Sequence, residues 1–549
     1  MARLKIGSLK KQKRGLVIAM LMVSLILVPI LMGVLLYLFP LKLGKVIMVL
    51  MVQAYLAVVS VSLLLRNMAE GTFFEVLGGD DPILYVALRG DRTSLVFVCL
   101  AVLLFMMAFL YAIRDEQYFN KKFLLLFLVL QGTLNGIFMT DDIFNLFVLI
   151  EVSTVLATVL LLFKRDGRNA YDGLFYITMQ IVTMMFFLFG IAYLYRSFGV
   201  LNFTAMYELM AMGVPRETLI LPFSFLMTGI ALKIGFFPLF SWVSHAYGNP
   251  SAPFPVLAIL SGLFVKSSLF FVIRMHHMFY PTLDYTRFFI VLGLLTGVMG
   301  AVKALAQKDI KLMLAFSTIS QVGLITVGIF LPDTTSLYGS LMHIVNHALF
   351  KSLLFLGAGM IAKEYQTTHV NEIKGLFKRM PLVATAMLLG VLGIIGFPFV
   401  NGSMSKYWMM AEASLPMELA LWVVNIGTIL VFVKYSTMFF GPSEKVAKQD
   451  PVKTAVVMFM GILCVLVGVL GAPVANLLFG VTLSFNMASF LAKGVIFFVI
   501  LGVAVLFYRI VLVKTDALYK IAKSPTTVQQ SCLILLIFFA TLVLYGTLT

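Results

Sequence analysis

The sequence predicts an all-α polytopic membrane protein, and three observations carry that prediction. Hydrophobic residues make up 61% of the 549-residue chain and charged residues only 12%, where a soluble domain is about a quarter charged. Apolar runs of about 20 residues, enough to cross the hydrocarbon core as a helix, recur along the whole length. The two-residue alternation of a membrane β-barrel is missing, and in lipid only helices and closed barrels satisfy their own backbone.

About sixteen spans are expected, at 15–39, 44–65, 93–113, 121–139, 142–163, 172–198, 217–241, 252–275, 286–307, 309–331, 336–362, 381–411, 416–440, 454–478, 487–510 and 529–548. The first follows a basic head, shows no small-residue cleavage site and continues as a full span, so it reads as a helix and not a removed signal. Segment 199–213 mixes polar and apolar residues and reads as a surface helix. Segment 363–380 is the most charged loop. Cys99, Cys464 and Cys532 all sit in apolar runs, with neither a disulfide framework nor metal-ligand spacing.

A net charge of +17 would point to nucleic acid in a soluble protein. Here most basic residues lie in loops, so the charge describes topology and no nucleic-acid partner is expected. If the first helix starts outside, the loops facing the cytoplasm hold Lys42, Lys45, Arg114, Lys121, Lys122, Lys164, Arg165, Arg168, Lys303, Lys308, Lys311, Lys363, Lys374, Lys378, Arg379, Lys445, Lys448, Lys453, Arg509, Lys514, Lys520 and Lys523. The opposite loops hold only Arg66, Arg89, Arg92, Arg196, Arg216, Arg274, Arg287 and Lys493. This is the positive-inside pattern; the basic head, Arg3 to Arg14, runs against it.

Five lysines fall inside spans: Lys233, Lys266, Lys351, Lys406 and Lys434. An ammonium at the bilayer centre costs at least ~2.5–3.5 kcal/mol, so each needs a reason. The one carboxylate well inside a span is Glu151, with Asp141 and Asp142 at the mouth of the same helix. Glu151 should lie near the midplane and face a lysine on another helix. A structural ion pair would also place charges there; the apolar surroundings, FNLFVLIEVSTVLATVLLLF from residue 144, favour a functional charge. Gly235 and Pro238 follow Lys233, and Gly396, Pro398 and Gly402 precede Lys406. Proline removes a helical hydrogen bond and clashes with the preceding turn, so both spans should break. Broken helices near the midplane mark transporters. Two such spans five helices apart point to an internal five-helix repeat; the alternative is two ordinary kinks with snorkelling lysines.

His343, His347 and Lys351 are four residues apart and share one helix face. Two histidines at that spacing also suit zinc, but there is no HExxH and no third ligand nearby. Buried lysines and histidines can titrate near neutral pH, so this face can pass protons. Lys434 is expected to snorkel from a helix end. His245, Tyr247, Lys303 and Lys308 are expected to be solvated at helix ends, and His276, His277 and His369 to lie in loops.

At these residues the chain resembles the antiporter-like subunits shared by Mrp cation/proton antiporters, respiratory complex I and membrane-bound hydrogenases. The segments are DDIFNLFVLIE (141–151), ALKIGFFPLFSW (231–242), APFPVLAILSGLFVK (252–266), QKDIKLMLAFSTISQVG (307–323), HIVNHALFKSLLFLGAGMI (343–361) and GFPFVNGSMSK (396–406). The resemblance implies about fourteen core helices with two inverted five-helix repeats, helices 7 and 12 broken, plus about two extra C-terminal helices. It implies divisions at 1–113, 114–275, 276–440 and 441–549. It makes Glu151 the helix-five glutamate, Lys233 its partner and Lys266 a relay; His343 and His347 are the helix-eleven histidines and Lys406 the terminal lysine. The DIFNLFVLIE wording and a lysine at 406 look most like the Mrp D-type subunit. Two departures stand out: Phe240–Ser241 precede Trp242 where many relatives carry a histidine, and WVS (242–244) replaces WLP.

The expected function is proton translocation with Na+ or K+, in a complex with other membrane subunits, in the plasma membrane of a prokaryote. No redox cofactor motif is visible, so no cofactor is expected in this chain. The two extra helices are expected to dock a partner. Rival readings are a proton-pumping subunit of a complex I-like dehydrogenase or hydrogenase, a membrane-embedded transferase, and a solute symporter. A transferase would need Asp-rich metal motifs, and Asp141–Asp142 is the one pair.

Overall fold

The computed structural model describes residues 2–39, 44–77, 86–115, 120–163, 167–249, 252–443, 446–514 and 527–549. Lys42, Lys164, Arg165, Lys445, Lys520 and Lys523 lie outside the described residues.

The first crossings are α1 (Ala2–Leu38), α2 (Lys45–Glu70) and α3 (Arg92–Ala112). A first unit follows: α4 (Lys121–Met139), α5 (Ile143–Leu161), α6 (Gly167–Phe198), the surface helix α7 (Phe203–Ala211), α8 (Arg216–Ile234), the short α9 (Trp242–Gly248), α10 (Phe254–Ile259) and α11 (Val265–Phe279). The second unit is α12 (Thr286–Leu305), α13 (Ile310–Phe330), α14 (Thr334–Tyr365), the single turn α15 (Leu376–Arg379), α16 (Pro381–Ile395), α17 (Asn401–Met409) and α18 (Leu415–Ser436). The chain then continues through α19 (Pro451–Val469), α20 (Gly471–Phe479), α21 (Met487–Ile510) and α22 (Val528–Leu548).

Among the described residues fifteen helices are long and apolar enough to cross a membrane, and α16 with α17 completes the sixteenth crossing expected from sequence. This is a multi-pass, nearly all-helical membrane protein. Many helices begin at a side-chain oxygen that accepts an otherwise orphaned backbone N–H: Asp91, Asn120, Asp142, Asn202, Asp309, Asp333, Asp450 and Asn486. Each five-crossing unit contains an odd number of spans, so the second enters from the opposite face and is inverted relative to the first.

Both expected breaks are present. α8 stops at Gly235 (φ +81°) and α16 at Gly396 (φ +84°), each in the left-handed region where a Cβ is strained. Gly402 lets α17 start against α16, since a Cβ there would lie 1.9 Å from the Gly393 carbonyl oxygen. A third irregularity was not foreseen: a π-helical turn, Leu260–Phe264, joins α10 to α11. Such turns recur at functional sites, and Lys266 follows it directly.

Several expectations change. Strands β1 (Phe73–Leu77) and β2 (Val86–Gly90) form an antiparallel hairpin between α2 and α3, with Phe73 opposite Gly90. His276 and His277 belong to the last turn of α11, not a loop, because that helix runs on past residue 275 to Phe279. The two extra helices, expected to dock a partner, each lay one side on this chain and leave the other exposed. α21 covers the second break, where Phe490 meets Phe399 at 5.4 Å and Phe497 and Phe498 meet Phe397. α22 lies on α8 near the first break: Phe539 meets Phe225 at 4.5 Å and the Ser531 hydroxyl donates to Ser241 Oγ at 3.0 Å.

Candidate functional site

The site is built around α14, whose membrane-crossing part is wholly interior. His343, His347 and Lys351 lie on one buried face, as their spacing predicts. Lys233, Lys266 and Lys406 are buried too, at 3%, 0% and 5% exposure. Each ammonium is held by neutral oxygens.

Lys233 Nζ donates to Thr154 Oγ1 at 2.7 Å and to Gln180 Oε1 at 2.9 Å. Thr154 stands one turn beyond Glu151 on α5. Glu151 is at the middle of that helix and half-buried. The two charges act on each other without a direct ion pair. The rest of the outward face of α5, including Phe144, Val148, Val152 and Val155, is exposed.

Lys266 donates to the Ser261 carbonyl across the π turn. The Ser261 and Thr318 hydroxyls are 2.7 Å apart, and Thr318 Oγ1 donates to the Leu314 carbonyl at 3.0 Å. That same carbonyl accepts from Lys351 Nζ at 2.8 Å, and Lys351 also donates to Ser317 Oγ. One polar stretch of α13 therefore joins Lys266 to Lys351.

His343 Nε2 lies 3.0 Å from Gln321 Oε1 and Nδ1 lies 2.8 Å from Ser405 Oγ. Gln321 Nε2 donates to Thr428 Oγ1 at 2.9 Å, so the amide oxygen faces the ring, and His343 carries its hydrogen on Nε2. His347 is fully buried with both ring nitrogens lacking a protein partner. Lys406 Nζ donates to the Ile394 carbonyl and to Asn425 Oδ1, each at 2.7 Å. Ile394 lies in the last turn of α16, where carbonyls lose their helical donors, so the lysine caps the broken helix. Asn425 and Thr428 are three apart on α18 and share a face, which brings the His343 branch to Lys406. A small cavity of about 40 Å³ adjoins Lys406, lined also by Asn425, Phe490, Lys493 and Phe497.

Two expectations fail here. Lys434 does not snorkel: it is buried and donates to the Leu305 and Gln307 carbonyls at 2.8 and 2.6 Å, capping the end of α12. Tyr247 is buried, not solvated. His245 keeps partial exposure and is also paired, with Nδ1 2.7 Å from Asp172 Oδ1. Thr154, Gln180, Gln321, Ser405, Asn425 and Thr428 were missed. Their signal was amides and hydroxyls recurring inside apolar spans, where an unpaired polar group is costly.

At the N-terminal mouth of α5, Asp142 accepts from the Asn145 backbone N–H at 2.6 Å. Thr204 Oγ1 donates to Asp141 Oδ2 at 2.7 Å, and Arg89 lies 4.0 Å away. Burial raises the Asp141 carboxyl above the ordinary carboxylate range, against the opposing pull of Thr204 and Arg89. These aspartates tie loops together and face no second acidic motif among the described residues.

Residues 140–432 match the family described as NADH:quinone oxidoreductase/Mrp antiporter, TM. The chain belongs to this family. All seven expected site residues fall inside the matched region. The chain is 32% identical to the N-type subunit of the NADH-quinone oxidoreductase of Desulforudis audaxviator, over 58% of this chain and 63% of that protein. It is 29% identical to the D-type subunit of the Na(+)/H(+) antiporter of Alkalihalophilus pseudofirmus, over 55% and 60%. It thus spans about six-tenths of the length of these curated relatives. Its fold matches a chain of the Mrp complex from Dietzia sp. DQ12-45-1b with a TM-score of 0.78 and 20% identity, covering 88% of this chain and 99% of that one. Family membership leaves the transferase and symporter readings without support.

Proposed function

We propose that this chain is the proton-translocating, antiporter-like subunit of a multi-subunit complex in a prokaryotic plasma membrane, of the Mrp D-type Na+/H+ antiporter kind. The observation that carries the reading is the set of buried lysines and histidines, Lys233, Lys266, Lys351, His347, His343 and Lys406, with hydrogen-bonded polar groups of α13 joining Lys266 to Lys351. Among the described residues none of these lysines is clamped to a carboxylate, so each can lose its proton without a directly paired counter-charge. Glu151 stabilises protonated Lys233. When the glutamate charge is neutralised or withdrawn, the Lys233 ammonium keeps only the neutral oxygens of Thr154 and Gln180 and gives up its proton. The proton passes through Lys266 and the α14 face to Lys406. Buried polar groups are almost always hydrogen-bonded, so His347 is where internal water is expected to join the row.

The exposed face around Glu151 supports a partner subunit. A carboxylate left against lipid is expensive, and a neighbouring membrane subunit with a cationic group at the same depth would cover it. The Lys406 end differs, because α21 already covers it. The identity to an N-type subunit of a quinone oxidoreductase favours a second reading, a proton-pumping subunit of a complex I-like dehydrogenase or hydrogenase.

The test is proton flux in everted vesicles holding the chain with its native partner subunits. A Na+ or K+ gradient should drive flux in the antiporter reading, and electron donors should drive it in the second. Glu151→Ala should abolish flux in either case while the complex still assembles. Wild-type flux in assembled Glu151→Ala vesicles would remove Glu151 from the mechanism.

A further inference from the structure

α6 carries a polar column of which the row above uses only the inner end, Gln180. Asp172, Tyr176 and Gln180 are spaced by four residues and share one inward face. At 1.5 Å per residue the column is about 12 Å long. Its inner end is Gln180, which already accepts from Lys233. Its outer end is Asp172, half-buried near the start of the helix and bonded to His245 of α9. The His245 ring stacks on Phe175 at 3.9 Å, with Tyr171 edge-on at 5.9 Å. Between the two ends Tyr176 is almost fully buried and its hydroxyl has no partner among the described residues. The Tyr247 hydroxyl, close enough to act on that of Tyr176, is likewise buried and unpartnered. Trp242 packs against Tyr176 at 5.5 Å and donates its indole N–H to the Leu232 carbonyl, the residue before Lys233.

We propose that Asp172, His245 and Tyr176 form the proton inlet that loads Lys233 from the face bearing the basic loops; the inference rests on the function proposed above. A carboxylate accepts only, so Asp172 holds the hydrogen of His245 on Nδ1 and leaves Nε2 free as a base. His245 is only partly buried, with its side chain 14% exposed, so Nε2 can take a proton from water. The imidazolium passes that proton inward. The Tyr176 hydroxyl accepts one proton and releases its own toward Gln180 and neutral Lys233, with bound water taking the intervening steps. No charge remains on the tyrosine at the end of a transfer. The break after α8 is what makes this arrangement possible: the chain leaves the helix at Gly235, and α9 returns His245, Tyr247 and Trp242 against α6. The inlet also accounts for the missing histidine before Trp242, since a histidine is supplied three residues after it.

His245→Gln should lower proton flux on the order of 10²-fold, the usual worth of a positioned acid–base group, and imidazole added to the basic-loop side should restore part of it. Tyr176→Phe keeps the ring and its packing on Trp242 and should still lower flux roughly tenfold or more, with complex content unchanged. A purely structural role predicts the reverse pattern: normal flux in Tyr176→Phe and no response to imidazole in His245→Gln. That pattern would overturn the inlet. Glu151→Ala is measured beside them. If it stops flux while both inlet variants run normally, the inlet fails and the proposed function stands. If it too runs normally, the Glu151-gated mechanism falls and the inlet with it.

Discussion

Replacing Lys406 separates a proton carrier from a fixed charge. Lys406→Met strips the Ile394 carbonyl and Asn425 Oδ1 of the donor that each holds at 2.7 Å, at a cost of about 1–3 kcal/mol apiece. It also removes an ammonium whose own burial costs several kcal/mol. The terms oppose one another and are of similar size, so the folded complex should stay within about 2 kcal/mol of wild type. Lys406→Arg keeps the charge, beside an adjoining cavity of about 40 Å³. A guanidinium does not deprotonate at physiological pH. If Lys406 releases a proton in every cycle, both variants should stop flux while both assemble. The assay is proton flux in everted vesicles with complex content quantified. Near-normal flux with arginine and none with methionine would refute the reasoning: Lys406 would be a static charge, and the release step would move to Lys351.

Deleting residues 487–549 should destabilise the bundle itself, because α21 and α22 cover both breaks; thermal unfolding of the purified complex reads this, and an unchanged transition would make the two helices peripheral. Asp141 gives a pH test. Burial raises its carboxyl, so the folded chain binds that proton more tightly than the unfolded chain, and stability falls as pH rises from the ordinary ~3.9 through the raised value, then levels off. Asp141→Asn keeps an acceptor for Thr204 and should flatten that stretch of a stability–pH curve; an unchanged slope would assign it to another carboxyl.

The spans were legible because hydrocarbon imposes one rule on every residue inside it: long apolar runs, with each exception marking a special position. The seven charged exceptions at the site were legible for the same reason. Their partners were not. Thr154 and Ser317 bond their neighbours in many helices without consequence, and only the reach of Lys233 from α8 to α5 and the packing of α13 on α14 turn them into ligands of an ammonium. Lys434 was misjudged because sequence shows its distance from a helix end but not which other helix ends beside it. The π turn at Leu260–Phe264 leaves no local mark, since LSGLF is compatible with an ordinary helix. The hairpin of β1 and β2 was hidden by its shortness, five residues per strand.

The two breaks look alike in sequence, yet they serve their lysines differently. In the first unit Lys233 precedes the glycine and stays on the helix, and the Leu232 carbonyl accepts both the Gly235 backbone N–H and the indole N–H of Trp242. The ammonium is thereby left to Thr154 and Gln180, within reach of the Glu151 charge. In the second unit Lys406 follows the glycine, on α17, and takes the freed Ile394 carbonyl itself. Its charge sits at the negative end of the α16 dipole, beside a cavity and with no carboxylate bonded to it. One lysine is thus placed where a neighbouring charge can switch it, the other where a fixed dipole holds it. In the proposed function, that asymmetry is the basis for reading loading into the first unit and release into the second.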